Sequence, residues 1–252
     1  MTPTMHHPHP IEDLPASRAQ KLLRALTSYY AIALAVAVVC AWGFGWLADE
    51  VLDHEFTVAN TSILLTIHAH RTATLDQIAF LASGIGSATG ITIIGIALVL
   101  ALLIMNRYVD LGTLAAVLLG ATVLMLTFKL LFHQVRPHVF EPLVRETNFS
   151  FPSGHSLTSF SLWGFLAWWI VSMNHRQVWR WILGILGLGI AVLVALSRLY
   201  LGVHWPTDVV AGMLLGFSWV GVCVTGQHWL TRHARRERRR LRAQRMKSAN
   251  AV

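Results

Sequence analysis

Six long apolar runs organise the chain, at about 27–48, 88–106, 110–132, 156–173, 179–197 and 207–229. A helix needs roughly 20 mostly apolar residues to cross the hydrocarbon core of a bilayer. Each run qualifies, so six membrane helices are expected, with both chain ends on one side. The stretch 56–83 is also apolar, but His68, His70, Arg71, Asp76 and Gln77 interrupt it. It reads as an interfacial or re-entrant helical segment between the first and second crossings. The expected fold class is therefore all-α: a polytopic membrane protein of six transmembrane helices plus that segment. The chain divides into a tail at 1–26, a six-helix membrane domain at 27–230 and a basic tail at 231–252.

Glycines fit this layout. Gly184, Gly187 and Gly189 on the fifth run, and Gly212 and Gly216 on the sixth, are expected to let helices pack closely. Gly84, Gly86 and Gly90 follow no predicted strand, so they read as a turn and a helix start rather than a nucleotide loop. Tryptophans near the expected span ends (Trp42, Trp46, Trp179, Trp181, Trp205, Trp229) suit interfacial anchoring.

Composition agrees with a lipid environment. Of 252 residues, 55% are hydrophobic and only 13% charged, against about 25% charged in soluble domains, and the mean hydropathy is +0.55. Disorder is excluded for the bulk of such a chain. The net charge of +8 would by itself suggest a polyanionic partner, but the placement of the charges changes that reading. Fifteen of the 20 Lys and Arg fall in the N-terminal tail, around residues 107 and 176–180, and in the C-terminal run. Arg71, Lys129, Arg136, Arg145 and Arg198 lie on the other side. The cytoplasmic side carries the excess, so both tails are expected to be cytoplasmic and the protein to sit in the plasma (inner) membrane. The run RRERRRLRAQRMK is a topological anchor or a site for anionic lipid headgroups. Without interleaved aromatic residues to stack on bases, it gives no case for nucleic acid. Cys40 and Cys223 lie inside apolar runs and read as buried small side chains. His6, His7 and His9 have no carboxylate or thiol cluster nearby to complete a metal site, and residues 1–26 read as a retained tail rather than a cleaved signal.

Ionisable groups at membrane depth are costly and are functional suspects. Here they gather at the non-cytoplasmic ends of the third to sixth spans. Lys129 and Arg136 are nearly two helical turns apart, which suits either an anion site or snorkelling to headgroups. Pro152-Ser153-Gly154-His155 precedes a span; Ser153 fits either an N-cap or one wall of an anion site at a helix N-terminus. His204 and Asp208 stand one turn apart, close enough for the carboxylate to fix the imidazole tautomer and leave the other ring nitrogen free. Arg198 ends the preceding span. Three cations, two imidazoles and one orienting carboxylate on one membrane face suit phosphoryl transfer.

These residues resemble the signature of the type 2 phosphatidic acid phosphatase superfamily. That signature is Lys, six residues, Arg-Pro; then Pro-Ser-Gly-His; then Ser-Arg, five residues, His, three residues, Asp. Lys129 to Arg136-Pro137, Pro152 to His155, and Ser197-Arg198 to His204 to Asp208 meet every spacing. The resemblance implies that His204 is the nucleophile and forms a phosphohistidine, that Asp208 orients it and that His155 is the general acid. Lys129, Arg136, Ser153, Gly154 and Arg198 would form the phosphate cradle, with neither a metal nor another cofactor needed. Membrane embedding then implies a lipid phosphate substrate of the undecaprenyl diphosphate, phosphatidylglycerol phosphate or phosphatidate type, handled at the outer face. His133 and His138, beside the first motif, either touch substrate or simply lie at the interface. Two rivals are a phosphotransferase using the same phosphohistidine and a transporter that uses the cradle only to bind.

Overall fold

The computed structural model describes residues 18–53, 55–173 and 177–249. Among these residues there are eight helices and no strand: α1 (Arg18–Leu52), α2 (Thr57–Ala69), α3 (Ala73–Gly86), α4 (Ala88–Ile104), α5 (Tyr108–Phe132), α6 (Gly154–Met173), α7 (Val178–Tyr200) and α8 (Pro206–Ala249). Residues His6, His7 and His9 lie outside the described part. Five helices, α1, α5, α6, α7 and α8, are each long and apolar enough to cross a bilayer.

The sixth crossing is built differently from the run at 88–106. At 17 residues, α4 is about 25 Å long, short of the ~30 Å hydrocarbon core. Helix α3 precedes it at a 52° bend, so the pair is either one broken span or the expected re-entrant segment leading into α4. The segment 56–83 is thus two elements with different roles, α2 and α3. The reason lies in where the polar residues fall. Arg71 and Asp76 sit at the start of α3, paired at 3.3 Å, with the Tyr200 hydroxyl donating to Asp76 at 2.7 Å. Beyond them the helix buries Ala79, Ala82, Ser83 and Gly86 as it packs along α7. Ser87 makes the bend: its hydroxyl donates to the Gly84 carbonyl at 2.7 Å and accepts from the Gly90 amide at 3.1 Å. A Cβ on Gly90 would lie 2.4 Å from the carbonyl oxygens of Gly84 and Ile85, so only glycine fits this helix start.

Helix α8 is the hub and packs against α1, α6 and α5. Gly212 and Gly216 bring it onto α6, where added Cβ atoms would meet the carbonyls of Ser153 at 2.6 Å and Leu157 at 2.8 Å. Gly184 and Gly187 pack against α6 in the expected way, but Gly189 faces open space and has no packing role. Outward faces carry Val38, Val39, Leu119, Val123, Ile185 and Leu186, all exposed. Ser153, Ser156, Arg198, His204 and Asp208 are buried instead. That polarity is the one lipid demands.

Between α5 and α6 an irregular loop, 133–153, arches over one end of the bundle. It is pinned by the Leu143 amide on the Leu201 carbonyl at 3.0 Å, the Ser150 amide on the Gln134 carbonyl at 2.8 Å, and the fully buried Phe151 between Phe44 and Phe132. Helix α2 braces the start of α8, where Asn60 donates to the Thr207 hydroxyl at 3.1 Å. The α7–α8 turn needs Gly202, at φ 74°, with the Phe140 ring 2.5 Å from where a Cβ would sit.

Candidate active site

The ends of α5, α6, α7 and α8 and the 133–153 loop bring polar groups together at this end of the bundle. His204 lies in the α7–α8 turn and Asp208 in the first turn of α8, one turn later. The Nδ1 of His204 is 3.3 Å from Asp208 Oδ2 and 3.3 Å from Ser150 Oγ. Ser150 also donates a short hydrogen bond to the same carboxylate oxygen, and the Trp205 amide donates to it at 2.8 Å. A carboxylate held by three groups fixes the ring with Nδ1 protonated, leaving Nε2 as the basic nitrogen. That Nε2 faces Arg136 Nη1 at 3.4 Å. Burial, reinforced by Arg136, Arg198 and Lys129, holds the His204 imidazole well below the usual histidine range, so its free lone pair is available at neutral pH.

The cations converge on the same spot. Arg136 is held by its own carbonyl contacts, Nε to Asn148 at 2.7 Å and Nη1 to Val203 at 2.6 Å. Lys129, buried on the last turn of α5, donates to Asn148 Oδ1 at 3.3 Å and to the Phe149 carbonyl. Arg198, 1% exposed, donates to Ser83 on α3, and its Nε is buried with no partner among the described residues. Glu146 bridges the two arginines, 2.5 Å from Arg198 and 3.4 Å from Arg136. Burial alone would raise its carboxyl, but Arg198 and Arg136 outweigh that and hold it below the usual carboxylate range.

The Pro-Ser-Gly-His turn behaves less simply. Ser153 is fully buried, and its hydroxyl accepts from the Ser156 hydroxyl at 3.1 Å and amide at 3.5 Å, which is N-cap geometry. The Ser153 amide donates to the Asp208 carbonyl at 3.0 Å, tying α6 to α8. Gly154 has a packing reason of its own, because a Cβ there would lie 2.4 Å from Met125 Sδ. His155 is half-buried and within electrostatic range of Arg198, Glu146 and His204.

Glu146, Asn148, Ser150 and Ser83 are the polar groups that the sequence did not disclose. Three of them sit on an irregular loop with no periodicity to mark them. Ser83 comes from a helix whose packing on α7 is visible only in three dimensions. A cavity of about 600 Å³ opens beside Arg136. Phe132, His133, His138 and Trp205 line it, together with Leu52 of α1 and Thr57 of α2, so both flanking histidines reach the cavity rather than the cation cluster.

The chain matches the model of the PAP2 superfamily over residues 110–232. It is 44% identical over 88 residues to phosphatidylglycerophosphatase B of Bacillus subtilis, covering 33% of this chain and 41% of the relative. It is 41% identical over 127 residues to an undecaprenyl-diphosphatase of Sulfolobus acidocaldarius, covering 47% and 56%. The matches thus span about half the length of these curated relatives. A crystal structure of a transmembrane PAP2 type phosphatidylglycerolphosphate phosphatase from Bacillus subtilis superposes with a TM-score of 0.71 at 26% identity, covering 76% of this chain and 96% of that one. Aquifex aeolicus LpxE shares the fold, at a TM-score of 0.53 and 23% identity over 65% and 93% of the two chains. Nearly the whole polar cluster, from Lys129 to Asp208, comes from the stretch that the family model matches, and the fold around it superposes on that of a membrane-spanning PAP2 type phosphatase: in motif and in fold the chain is similar to the PAP2 superfamily.

Proposed function

We propose that the protein is an integral-membrane lipid phosphatase that hydrolyses a phosphomonoester or diphosphate headgroup through a phosphohistidine at His204. The observation that carries this reading is the pairing of His204, whose Nδ1 is held by Asp208 and Ser150 while Nε2 faces Arg136. A merely structural histidine has no need of a carboxylate-fixed ring whose second nitrogen faces a guanidinium.

In the first step Nε2 attacks phosphorus in line, forming an N–P bond as the P–O bond to the lipid breaks. His155 gives its proton to the departing oxygen, an alkoxide or a lipid monophosphate. The equatorial oxygens rest on Arg136, Arg198 and Lys129, with Ser153 and Gly154 at the α6 N-terminus as the remaining wall. Charge of this kind, fixed in advance where negative charge develops, is the largest source of rate in such reactions. In the second step His155 takes a proton from water, whose oxygen attacks phosphorus. The N–P bond then breaks, releasing inorganic phosphate and restoring neutral His204. Three fixed cations supply the neutralisation that a divalent metal supplies elsewhere, so no metal enters the scheme.

The cavity beside Arg136 suits the lipid end of the substrate, since Leu52, Phe132 and Val139 offer apolar wall next to the cation cluster. Phosphatidylglycerol phosphate and undecaprenyl diphosphate are the headgroups that the relatives' names point to, with phosphatidate-type lipids as the third class. The Lys and Arg distribution favours cytoplasmic termini and a site at the outer face. A panel of these lipids presented in detergent to the full chain and to His204→Ala tests the reading by inorganic phosphate release. The wild type should turn over at least one lipid without added acceptor. His204→Ala should lose essentially all release while keeping the wild-type elution and melting profile. Substantial turnover by the variant would remove His204 from the chemistry.

A further inference from the structure

A second polar pocket lies at the other end of the bundle. Nineteen residues separate Asp110 from Lys129 on α5, and nineteen separate Asp208 from Gln227 on α8. Each interval is about 28 Å of helix, close to the ~30 Å hydrocarbon thickness, so the two polar centres sit at opposite membrane faces. The second pocket has a volume of about 790 Å³, and its walls include Arg107, Asp110, Gln227, Arg232, Arg235 and Arg236.

The floor of this pocket is built rather than incidental. Asp110 is 3% exposed and has both oxygens engaged, one by Arg107 Nε at 2.5 Å and the other by Gln227 Nε2 at 2.7 Å. His228 stacks on Tyr30 with ring centroids 3.6 Å apart. Gln227 Oε1 and His228 Nε2 are buried with no partner among the described residues, and orphaned buried polar atoms are rare enough to call for a ligand or a water. With Asp110 already taken, Arg235 and Arg236, about two turns beyond Gln227 on α8, meet no acid of their own among the described residues.

An apolar cleft of about 290 Å³ between α1, α6 and α7 adjoins this pocket and shares Tyr30, Trp168 and Ser172 with it. Its remaining walls include Ile32, Ala33, Val171 and Ile185, with Gly184 leaving room. Guanidinium groups at the rim with a hydrocarbon slot beneath them match one class of molecule, an amphiphile with an anionic headgroup.

We propose that this pocket and cleft form a binding site for an anionic glycerophospholipid of the surrounding bilayer, on the membrane face opposite His204. The phosphodiester lies against Arg235 and Arg236, where guanidiniums bind phosphate in a forked geometry. The headgroup hydroxyls meet Gln227 Oε1 and His228 Nε2, and one acyl chain fills the cleft beside Gly184. Such a lipid bridges α1, α6, α7 and α8 at this end of the bundle. The proposal does not depend on the chemistry at His204.

The test is equilibrium binding of fluorescent phosphatidylglycerol to the purified full chain in detergent. Unlabelled phosphatidylglycerol, phosphatidylcholine and inorganic phosphate serve as competitors. The variants are Arg235→Glu/Arg236→Glu, both at exposed positions, and Gly184→Leu, which fills the cleft. Phosphatidylglycerol should compete and the other two should not. The double charge reversal should weaken binding by about tenfold or more while leaving phosphate release at the wild-type rate, and Gly184→Leu should weaken binding. Equal competition by phosphatidylcholine would overturn the anionic headgroup. Full displacement by inorganic phosphate would make this a free-anion site, and unchanged binding in Gly184→Leu would reduce it to diffuse attraction by a basic helix. Either result ends the proposal. If Gly184→Leu melts below the wild type, binding of a phosphatidylglycerol with truncated chains to the wild type decides the same point: it should be weaker than that of the long-chain lipid, and equal affinity counts against the cleft.

Discussion

The side chains gathered at the proposed site differ in how visible they are along the chain. His204 and Asp208 announce themselves as a pair one helical turn apart, and the structure adds the third member, Ser150, which touches both. Glu146 had no comparable mark, being one acid in an irregular loop, yet it bridges Arg198 and Arg136. In the proposed cradle a phosphate would compete with that carboxylate for the same two guanidiniums. Glu146→Gln is therefore expected to tighten inhibition by orthovanadate about tenfold, as the loss of one charge-assisted hydrogen-bonded competitor would; a weaker inhibition constant than wild type would instead make Glu146 a support for the arginines. Arg136 also governs His204. Because burial and three cations depress that imidazole, it stays unprotonated as pH falls through the ordinary histidine value near 6.5. The acid limb of kcat/KM should then lie below that pH. Arg136→Gln removes one of the depressing charges, so the limb should move up toward it while the rate falls by about 10²–10³. A limb that stays in place would separate Arg136 from the nucleophile.

At the level of helices, hydrophobic runs predicted five crossings well, because long apolar stretches have no other stable place in this chain. The second run, 88–106, is shorter as a helix than its composition suggested, and the polar-interrupted stretch before it supplies α3. Asp76, Gln77 and Arg71 count against a span in any window that contains them, while Ala79, Ala82 and Gly86 further along α3 are buried as it packs on α7. The glycines carried more of the packing than their spacing alone could tell. Gly212 and Gly216 set the approach of α8 to α6 and so the position of Asp208 against the Ser153 amide, whereas Gly189, similar in sequence, packs on nothing. Gly212→Val should cost about 1–3 kcal/mol through overpacking, seen as a lower melting temperature in detergent, with phosphate release reduced as well. Gly189→Ala should leave both at wild-type values. If the two variants melt alike, the close approach at Gly212 is not what holds these helices.

The molecule as a whole is a bundle whose two ends carry different charges for different purposes. Most of the 20 cations lie in one set of loops and tails, while Lys129, Arg136 and Arg198 cluster at the opposite end under the 133–153 loop. That asymmetry is the basis of the proposed orientation, with cytoplasmic tails and the site at the outer face. A cysteine replacing Arg145, whose side chain is 91% exposed, in a chain with Cys40 and Cys223 changed to Ala, should react with a membrane-impermeant maleimide added outside intact cells. Reaction only after lysis would invert the molecule. If the full chain passes phosphate through His204, rapid acid-free quenching during turnover of a ³²P-labelled lipid phosphate will trap the intermediate. An alkali-stable, acid-labile phosphoryl label is expected, placed on His204 by peptide mapping and absent from His204→Ala. Steady release of phosphate with no label on His204, or with the label on another residue, would contradict that route.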